Sequence, residues 1–455
     1  MGRRAAKRPY LLIALALLLA LRLLAAVLIA PEVVADGQGY TASARRLLET
    51  GTYAYPMYGE TFWTRTADDA LVFRDSAREE FHAAPSNAFT MPGYPVFVAG
   101  VWTLTGGDDP WLAVRLVQAI LSVATAWLVF RIASRFGDRV GWIALTACAA
   151  YPPFTLANSY IGTEVLFCFL FTATVTLVLA WMDTARPSVA VAAGLLAGAG
   201  FMVRPSAALW AAGAAAFATW GVRRHGYRAL AGFAAFALAA ALVVSPWLVR
   251  NFALYDEPVT VGTSSGGNII QGFWQDSHER TPWPWDRGGV EYSEHDRAVA
   301  AITDAVYAAG PASETDDRPM LEYFGPASTA LTGRLLAEYP AAVISARASS
   351  VAASLFWPHA VSPSAAGGVP FTIAWVAHTT LLVLSLAGLA WLPRRPDAWL
   401  VASAPLYFVG IHAIVFPLWR YYFPALACGM IIAAVGIDRL TAHMLARANR
   451  PRAAD

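Results

Sequence analysis

The sequence predicts an all-α polytopic membrane protein with about ten transmembrane helices and two large loops on one side of the membrane. Hydrophobic residues make up 57% of the chain and charged residues only 14%, whereas soluble domains carry about 25% charged residues. The apolar residues form runs long enough to cross a bilayer, and arginines cluster in alternate short connections. The net charge of +2 is too small to indicate a nucleic-acid partner.

The first apolar run, from Tyr10 to Ala30, follows a basic stretch that includes Lys7. The positive-inside rule therefore places the N-terminus in the cytoplasm. The run is long and no small-residue cleavage site follows it, so we interpret it as a retained anchor. Lys7 is the only lysine of the chain, so any phosphate clamp must use arginine.

Nine further spans are predicted near residues 112–132, 140–157, 163–181, 188–203, 205–221, 229–249, 369–392, 398–417 and 421–440. Alternating the spans places every arginine-rich short loop on the cytoplasmic side. The predicted divisions are an N-terminal anchor at 1–30, a first extracytoplasmic loop at 31–111, a transmembrane core at 112–249, a second extracytoplasmic loop at 250–368, and C-terminal helices with a cytoplasmic tail at 369–455.

The two long loops contain stretches typical of interfacial helices. In the second loop, helices are predicted near 295–309 and 327–355, the latter flat on the membrane or dipping into it. In the first loop, the segment from Asp36 to Thr50 is amphipathic, and Gly51 is a typical helix stop. We expect its face with Arg45, Arg46 and Glu49 to be the polar one.

Two carboxylates, Asp36 and Glu164, are predicted at the outer surface of the membrane. Asp36 follows the first span, and Glu164 begins the fourth after a short outer turn. A carboxylate at this depth is costly unless it is paired or functional, and two of them on one side would hold an acceptor and take its proton. The alternative is that Asp36 caps its helix and Glu164 compensates a helix dipole.

Arginines suited to a phosphate lie at the same surface. Arg204, followed by Pro205, interrupts an apolar stretch, and Arg250 with Asn251 ends another span. Such arginines either extend to the lipid headgroups or hold a phosphate there. The nearby segment 263–268 (TSSGGN), with Ser265 and Asn268, is a glycine-rich phosphate-binding candidate, and an ordinary turn is the alternative.

A metal site has weaker support. Asp276, His278 and Glu279 offer ligand types for a divalent cation, but their spacing fits no strong pattern, and a solvated loop is the favoured interpretation. No cofactor is otherwise indicated, and a divalent metal is left open.

In its order of motifs, the chain resembles the GT-C glycosyltransferases, specifically the superfamily of protein mannosyltransferases and aminoarabinose transferases. The resembling segments are Asp36 to Tyr40, 91–97 (MPGYPVF), 151–152 (YP), 163–167 (TEVLF), 194–198 (GLLAG), 204–205 (RP), 245–251 (SPWLVRN), 264–268 (SSGGN) and 420–424 (RYYFP). Relatives that act on lipid A often carry a lysine near the proline-rich segment, where Thr90 and Met91 stand here. Another cation, Arg204 or Arg250, would have to replace it.

The resemblance implies a transferase that moves a sugar from a polyprenyl-phosphate donor to a lipid, glycan or protein acceptor outside the cytoplasm. It implies that Asp36 is the catalytic base and Glu164 a second acid. The implied substrate contacts are Tyr40, Tyr94, Arg204, Arg250, Asn251, Ser265, Asn268, Arg420 and Tyr421.

The expected location is the cytoplasmic (inner) membrane of a GC-rich bacterium, with the active site facing the periplasm or the exterior. A transporter or lipid flippase is the alternative function, and it would require ionisable residues near the middle of the membrane. A non-catalytic scaffold would not explain why acids and arginines gather at one surface.

Overall fold

The computed structural model of the chain describes residues 8–29, 31–278, 292–311, 315–356 and 369–448. In this part of the chain the structure is helical apart from one short hairpin. The helices are α1 (Arg8–Leu28), α2 (Asp36–Thr50), α3 (Arg78–Ala83), α4 (Gly93–Thr105), α5 (Trp111–Ala133), α6 (Asp138–Ala150), α7 (Pro152–Leu156), α8 (Thr163–Thr184), α9 (Pro187–Val203), α10 (Ala208–Gly221), α11 (Tyr227–Tyr255), α12 (Ser265–His278), α13 (Glu294–Ala308), α14 (Arg318–Glu338), α15 (Pro340–Phe356), α16 (Val369–Leu389), α17 (Pro396–Ile414) and α18 (Phe423–Ala448); the strands are β1 (Trp63–Arg65) and β2 (Leu71–Phe73).

Among the described residues, six helices are long and apolar enough to cross a membrane, and a seventh span is added if α6 and the segment Pro152–Ser159, bent by 61°, count as one. Shorter apolar helices lie at Pro187–Val203, Pro340–Phe356 and Ile373–Leu389. The prediction of a helical polytopic membrane protein is confirmed. The ten predicted spans also include α10 and two of these shorter helices, so the number of spans stays a prediction.

The membrane helices pack into one large apolar core. Helix α9 packs along both α8 and α11, while α18 packs against α16, α6 and α5. Every residue of α18 from Ala427 to Val435 is buried in this core. Arg420 lies in the short turn Trp419–Tyr422 that precedes α18. The packing of α18 therefore brings Arg420 to the start of α2.

Helix α2 has the bounds predicted from the sequence. It ends at Thr50, and Gly51 adopts the left-handed conformation (φ 68°) with its N–H donated to the Leu47 carbonyl. The predicted polar face is wrong for Arg46, which is only 2% exposed. Its guanidinium donates to the carbonyls of Phe81 (2.5 Å) and Ala84 (2.8 Å), at the C-terminal end of α3.

The first loop folds around a two-stranded hairpin that the sequence analysis did not foresee. Trp63 pairs with Phe73 and Arg65 with Leu71 in the antiparallel hairpin. The Ala35 N–H donates to the Leu71 carbonyl at 2.7 Å. The hairpin therefore positions the residue that directly precedes Asp36.

The second loop contains more helix than predicted. The helix expected near 295–309 is present as α13. The prediction of one helix at 327–355 is wrong, because this region forms two helices, α14 from Arg318 to Glu338 and α15 from Pro340. Pro340 explains the interruption, since proline has no N–H for the helix ladder and disfavours helix in the preceding residue. The glycine-rich segment leads into α12 rather than into a simple turn.

Candidate active site

Asp36 is the first residue of α2, yet its side chain does not cap that helix. The N-cap is Ala35, which makes no side-chain cap and has a positive φ of 44°. The Asp36 carboxylate instead accepts a hydrogen bond from the Tyr58 hydroxyl at Oδ1 and one from Arg420 Nη1 at Oδ2, the latter at 3.0 Å. The side chain is 33% exposed, so the carboxylate remains accessible.

Two glycines after Asp36 explain how closely α2 is packed. A Cβ on Gly37 would lie 3.0 Å from the Ile161 carbonyl oxygen, in the turn that precedes Glu164. A Cβ on Gly39 would lie 2.4 Å from the Tyr55 hydroxyl oxygen. Glycine therefore allows the start of α2 to approach the Glu164 turn on one side and Tyr55 on the other.

Glu164 lies in the first turn of α8 and is paired with Arg204. Arg204 Nη2 is 2.5 Å from Glu164 Oε1, and Arg204 Nε donates to Thr163 Oγ1 at 2.6 Å. Arg204 occupies the break between α9 and the turn that begins at Pro205. The Arg204 side chain is 15% exposed and that of Glu164 is 16% exposed, so the pair is largely shielded from solvent.

Tyr421 joins the two ion pairs. The Arg204 guanidinium carbon lies 5.1 Å from the centroid of the Tyr421 ring, and that of Arg420 lies 5.6 Å from it. Arg204 Nη1 also donates to the Arg420 carbonyl at 3.5 Å. Two guanidinium groups, each paired with a carboxylate, therefore adjoin one aromatic ring, and the formal charges of the two pairs cancel.

Tyrosines form a wall beside the Asp36 carboxylate. The Tyr40 ring contacts those of Tyr55 and Tyr94 edge to face, at centroid distances of 5.9 and 5.0 Å. Tyr94 is fully buried and donates to Gln118 Oε1 at 2.7 Å. The buried Tyr94 ring thus packs against the Tyr40 ring. Tyr40 itself is half-buried and lies next to Asp36.

The electrostatics of the site keep Asp36 ionised. Burial raises the pKa of Asp36, but the Arg420 guanidinium and the Tyr58 hydroxyl lower it further than burial raises it, so the pKa lies below its ordinary value. Burial and the Asp36 charge raise the pKa of Tyr58 far above its ordinary range. At neutral pH the carboxylate is therefore charged, and Tyr58 carries the proton between them.

Arg250 and Asn251 make other contacts. Arg250 Nη2 donates to the carbonyls of Tyr53 (2.6 Å) and Asn87 (3.0 Å), and its guanidinium lies over the Trp247 ring. Asn251 is fully buried and donates to the Val259 carbonyl at 2.9 Å. These two residues connect the end of α11 to the backbone of both loops, and they are not brought to the Asp36 carboxylate.

Ser265 and Asn268 lie half-buried in the first turn of α12. The segment before them packs against the first loop, where Ser264 Oγ donates to the Phe89 carbonyl at 2.7 Å. Thr263 Oγ1 donates to Asp317 at 2.7 Å. The glycine-rich segment thus joins the two loops in this structure.

The weak metal candidates have other partners. Asp276 is paired with Arg347 at 2.7 Å, and His278 Nε2 is 3.2 Å from Asp304. Glu279 lies outside the described residues. Within the ranges that the structure describes, no group of three or more His, Cys, Asp or Glu side chains is arranged to hold a metal ion.

The sequence analysis missed two parts of this region. Tyr55 and Tyr58 support Asp36, and the aromatic run 53–58 (YAYPMY) was a signal that could have identified them. Asp317 is 1% exposed and accepts hydrogen bonds from the Ala88 N–H, Tyr255 and Thr263. No local pattern marks Asp317, because its partners come from three distant segments.

Residues 90–249 match the family described as dolichyl-phosphate-mannose-protein mannosyltransferase. The structure is similar to that of the archaeal oligosaccharyltransferase AglB from Archaeoglobus fulgidus in complex with an inhibitory peptide and a dolichol-phosphate, with a TM-score of 0.53 and 12% identity over 99% of this chain and 53% of AglB. The apo form of the oligosaccharyltransferase from that organism gives a TM-score of 0.51 and 13% identity over 97% and 52% of the two chains.

ArnT from Cupriavidus metallidurans bound to undecaprenyl phosphate aligns with a TM-score of 0.43 and 14% identity, over 95% of this chain and 78% of ArnT. Among curated protein sequences, none matches the chain significantly. The chain spans about half the length of the archaeal oligosaccharyltransferase, 53% in the alignment with AglB.

The chain is a helical, polytopic membrane protein, and its fold is similar to that of the archaeal oligosaccharyltransferase. The resemblance predicted from the motifs is confirmed by the match of residues 90–249 to that family model and by the similarity of fold.

Proposed function

We propose that the protein transfers a sugar from a polyprenyl-phosphate donor to an acceptor hydroxyl at the extracytoplasmic surface of the membrane. The observation that carries this proposal is the adjoining arrangement of Asp36 with Arg420 and Glu164 with Arg204 around Tyr421. A base and an anion site are the two features that this transfer needs. The dolichol-phosphate named for the AglB structure supports a lipid-phosphate substrate class.

In the proposed reaction, Asp36 accepts the proton of the acceptor as the acceptor atom attacks the anomeric carbon. The bond between that carbon and the phosphate oxygen breaks, and the polyprenyl phosphate leaves with the bonding electrons. The displacement inverts the anomeric centre. Because the leaving group is a phosphate, it requires neutralisation by cations rather than protonation.

Arg204 and Arg420 are the proposed cations for that phosphate. Both guanidinium groups adjoin the Tyr421 ring, and planar guanidinium groups can bond phosphate oxygens in pairs. Glu164 keeps Arg204 oriented and is placed to contact the sugar or the acceptor. Arg250 is the less suitable candidate for the phosphate, since its guanidinium lies over Trp247 and bonds the backbone at Tyr53, away from the Asp36 carboxylate.

The proposed topology has the loops at 31–111 and 250–368 on the extracytoplasmic side, between the anchor at 1–30, the core at 112–249 and the helices from 369 onward. The arginine-rich short loops then face the cytoplasm. Under this topology the active site faces the periplasm or the exterior of a bacterial inner membrane, and the acceptor is a lipid, a glycan or a protein.

A transporter function has less support in the structure. Arg22 is a buried charge within α1, only 1% exposed, but it donates to the Cys148 carbonyl at 2.8 Å. That carbonyl lies near the end of α6, where the chain bends. Arg22 therefore satisfies a backbone group at a helix break.

The test is mass spectrometry of polyprenyl-phosphate sugars in host cells that lack the protein, rescued with the wild type, with Asp36→Asn or with Asp69→Asn. Asp36→Asn keeps the shape of the side chain but removes the base, and we expect it to lower the rate at least about 100-fold. Asp69 is an exposed partner of Arg65 in the same loop and serves as the control. One sugar lipid should accumulate and be cleared by the wild type and Asp69→Asn only; clearance by Asp36→Asn would refute the role of Asp36.

A further inference from the structure

Both oxygens of the Asp36 carboxylate are occupied, although a general base must be available to its substrate. Tyr58 donates to Oδ1 and Arg420 donates to Oδ2. A guanidinium at a carboxylate stabilises the charged form and so weakens it as a proton acceptor. The structure therefore shows Asp36 in an arrangement that favours an ionised but weakly basic carboxylate.

The donor at Oδ1 is held in place by packed neighbours. The Tyr58 hydroxyl is 3.0 Å from that of Tyr55, and Tyr55 is 1% exposed. The Tyr55 ring stacks on Phe89 at a centroid distance of 5.6 Å, and its hydroxyl lies against the backbone at Gly39. The Tyr58 ring contacts those of Tyr55, Trp63 and Phe89, so this aromatic cluster holds it although Tyr58 itself is 42% exposed.

The donor at Oδ2 is exposed to a similar degree but is held by fewer side chains. The Arg420 side chain is 46% exposed, and among the described residues its ion pair is with Asp36. Its other guanidinium contact is the face of Tyr421, a contact that tolerates displacement. Arg204, in contrast, is 15% exposed and is held by Glu164, by Thr163 and by the Arg420 carbonyl.

We propose that Arg420 leaves Asp36 Oδ2 for the phosphate of the bound donor, while Tyr58 remains on Oδ1 as a positioning residue. This inference rests on the proposed function. Arg420 stays protonated throughout and exchanges one anionic partner for another. The freed Oδ2 then accepts a hydrogen bond from the acceptor hydroxyl and takes its proton. Asp36 is therefore more basic when the sugar donor is bound than when it is absent.

The experiment measures equilibrium binding of undecaprenyl phosphate to the full chain in nanodiscs of a zwitterionic lipid. The proteins compared are the wild type, Asp36→Asn, Arg420→Gln and the double variant. Asp36→Asn releases Arg420 from its ion pair, so we expect it to bind the phosphate at least about threefold more tightly than the wild type, the size of a partly exposed ion pair. Arg420→Gln should bind more weakly.

The double variant shows whether the gain in affinity for undecaprenyl phosphate depends on Arg420. If Arg420 exchanges partners, Asp36→Asn gives no gain when Arg420 is already Gln. A gain of the same size in both backgrounds would show simple charge repulsion between Asp36 and the phosphate, and would overturn the exchange. Equal binding by the wild type and Asp36→Asn would overturn it as well.

Two further proteins keep the test decisive. Asp69→Asn removes a paired carboxylate from the same loop at a residue with φ 62°, which Asn adopts readily, and it should bind as the wild type does. Tyr58→Phe leaves Asp36 charged and paired with Arg420, so it should not show the gain of Asp36→Asn; a gain of that size would overturn the exchange by Arg420. Absence of phosphate binding by the wild type would instead refute the proposed function.

Discussion

Arg204, at the C-terminal end of α9, pairs with Glu164 in the first turn of α8, and the same guanidinium donates to Thr163, the residue beside Glu164. The contact sets the orientation of Arg204 at the break after α9. These contacts also fix the position of the Arg204 guanidinium before a substrate binds.

Removing that cation should weaken use of the donor. We predict that Arg204→Ala raises the KM for the polyprenyl-phosphate sugar at least about tenfold, which corresponds to the loss of about 1.4 kcal/mol of binding. Initial rates at varied donor concentration measure this. Arg334→Ala, which removes an exposed arginine paired with Glu338, is the control and should keep the wild-type KM. Unchanged kinetics in Arg204→Ala would exclude it from phosphate binding.

The pH dependence should reveal the groups that lower the pKa of Asp36. Its folded pKa is below the ordinary value, so the base is active above that pKa and is lost as the pH falls through it. Tyr58→Phe removes one stabilising donor and should move the acidic limb of the pH profile of kcat/KM to higher pH. An acidic limb that does not move would show that Tyr58 does not act on Asp36.

The same linkage applies to stability. The Asp36 interactions contribute stability that is fully present above the unfolded pKa and is lost as the pH falls toward the folded pKa. Tyr58→Phe should therefore lose less stability than the wild type over that acidic interval. Thermal unfolding in detergent at several pH values measures the difference.

The packing of Gly39 should be sensitive to one added carbon. In Gly39→Ala the new Cβ would lie 2.4 Å from the Tyr55 hydroxyl oxygen, so Tyr55 must move and withdraw support from Tyr58. We predict a loss of about 1–3 kcal/mol in the free energy of unfolding, typical of overpacking, together with a lower kcat. Gly213→Ala is the control, because a Cβ there meets nothing within 4 Å. Equal stability of the two variants would contradict the prediction.

Asp317 should hold the two loops together. Its buried carboxylate accepts from the Ala88 N–H in the first loop and from Tyr255 and Thr263 at the start of the second. Asp317→Asn weakens these charge-assisted bonds, and we predict a loss of about 1–3 kcal/mol in unfolding free energy. Asp256→Asn is the matched control, because Asp256 is exposed with φ 57°, a conformation that Asn tolerates. Thermal unfolding in detergent distinguishes the two, and an unchanged Asp317→Asn would show that the loops are held elsewhere.

Local features of the chain were predictable where neighbouring residues alone control them. The bounds of α2, with Gly51 as its stop, follow from amphipathic spacing and from the left-handed conformation that glycine adopts easily. The break at Arg204 follows from Pro205, which restricts the residue before it. The membrane class follows from composition, because apolar runs of that length are stable in lipid.

Pairings between distant segments were decided by the tertiary structure. Arg420 reaches Asp36 across 384 positions because α18 packs into the helical core. Arg46 is buried, although α2 is amphipathic, because the end of α3 offers it two carbonyls. Arg250, equal to Arg204 as a candidate in the sequence, is committed to backbone carbonyls instead.

The physical reason for this division is the range of the forces involved. Backbone preference and hydrophobic run length act over a few residues along the chain, and the sequence by itself therefore determined the membrane class, α2 and the Arg204 break. An arginine placed at an interface has several carboxylates and carbonyls within reach of its side chain. Only the packing of α8, α9 and α18 around Tyr421 decided which arginine met which acid.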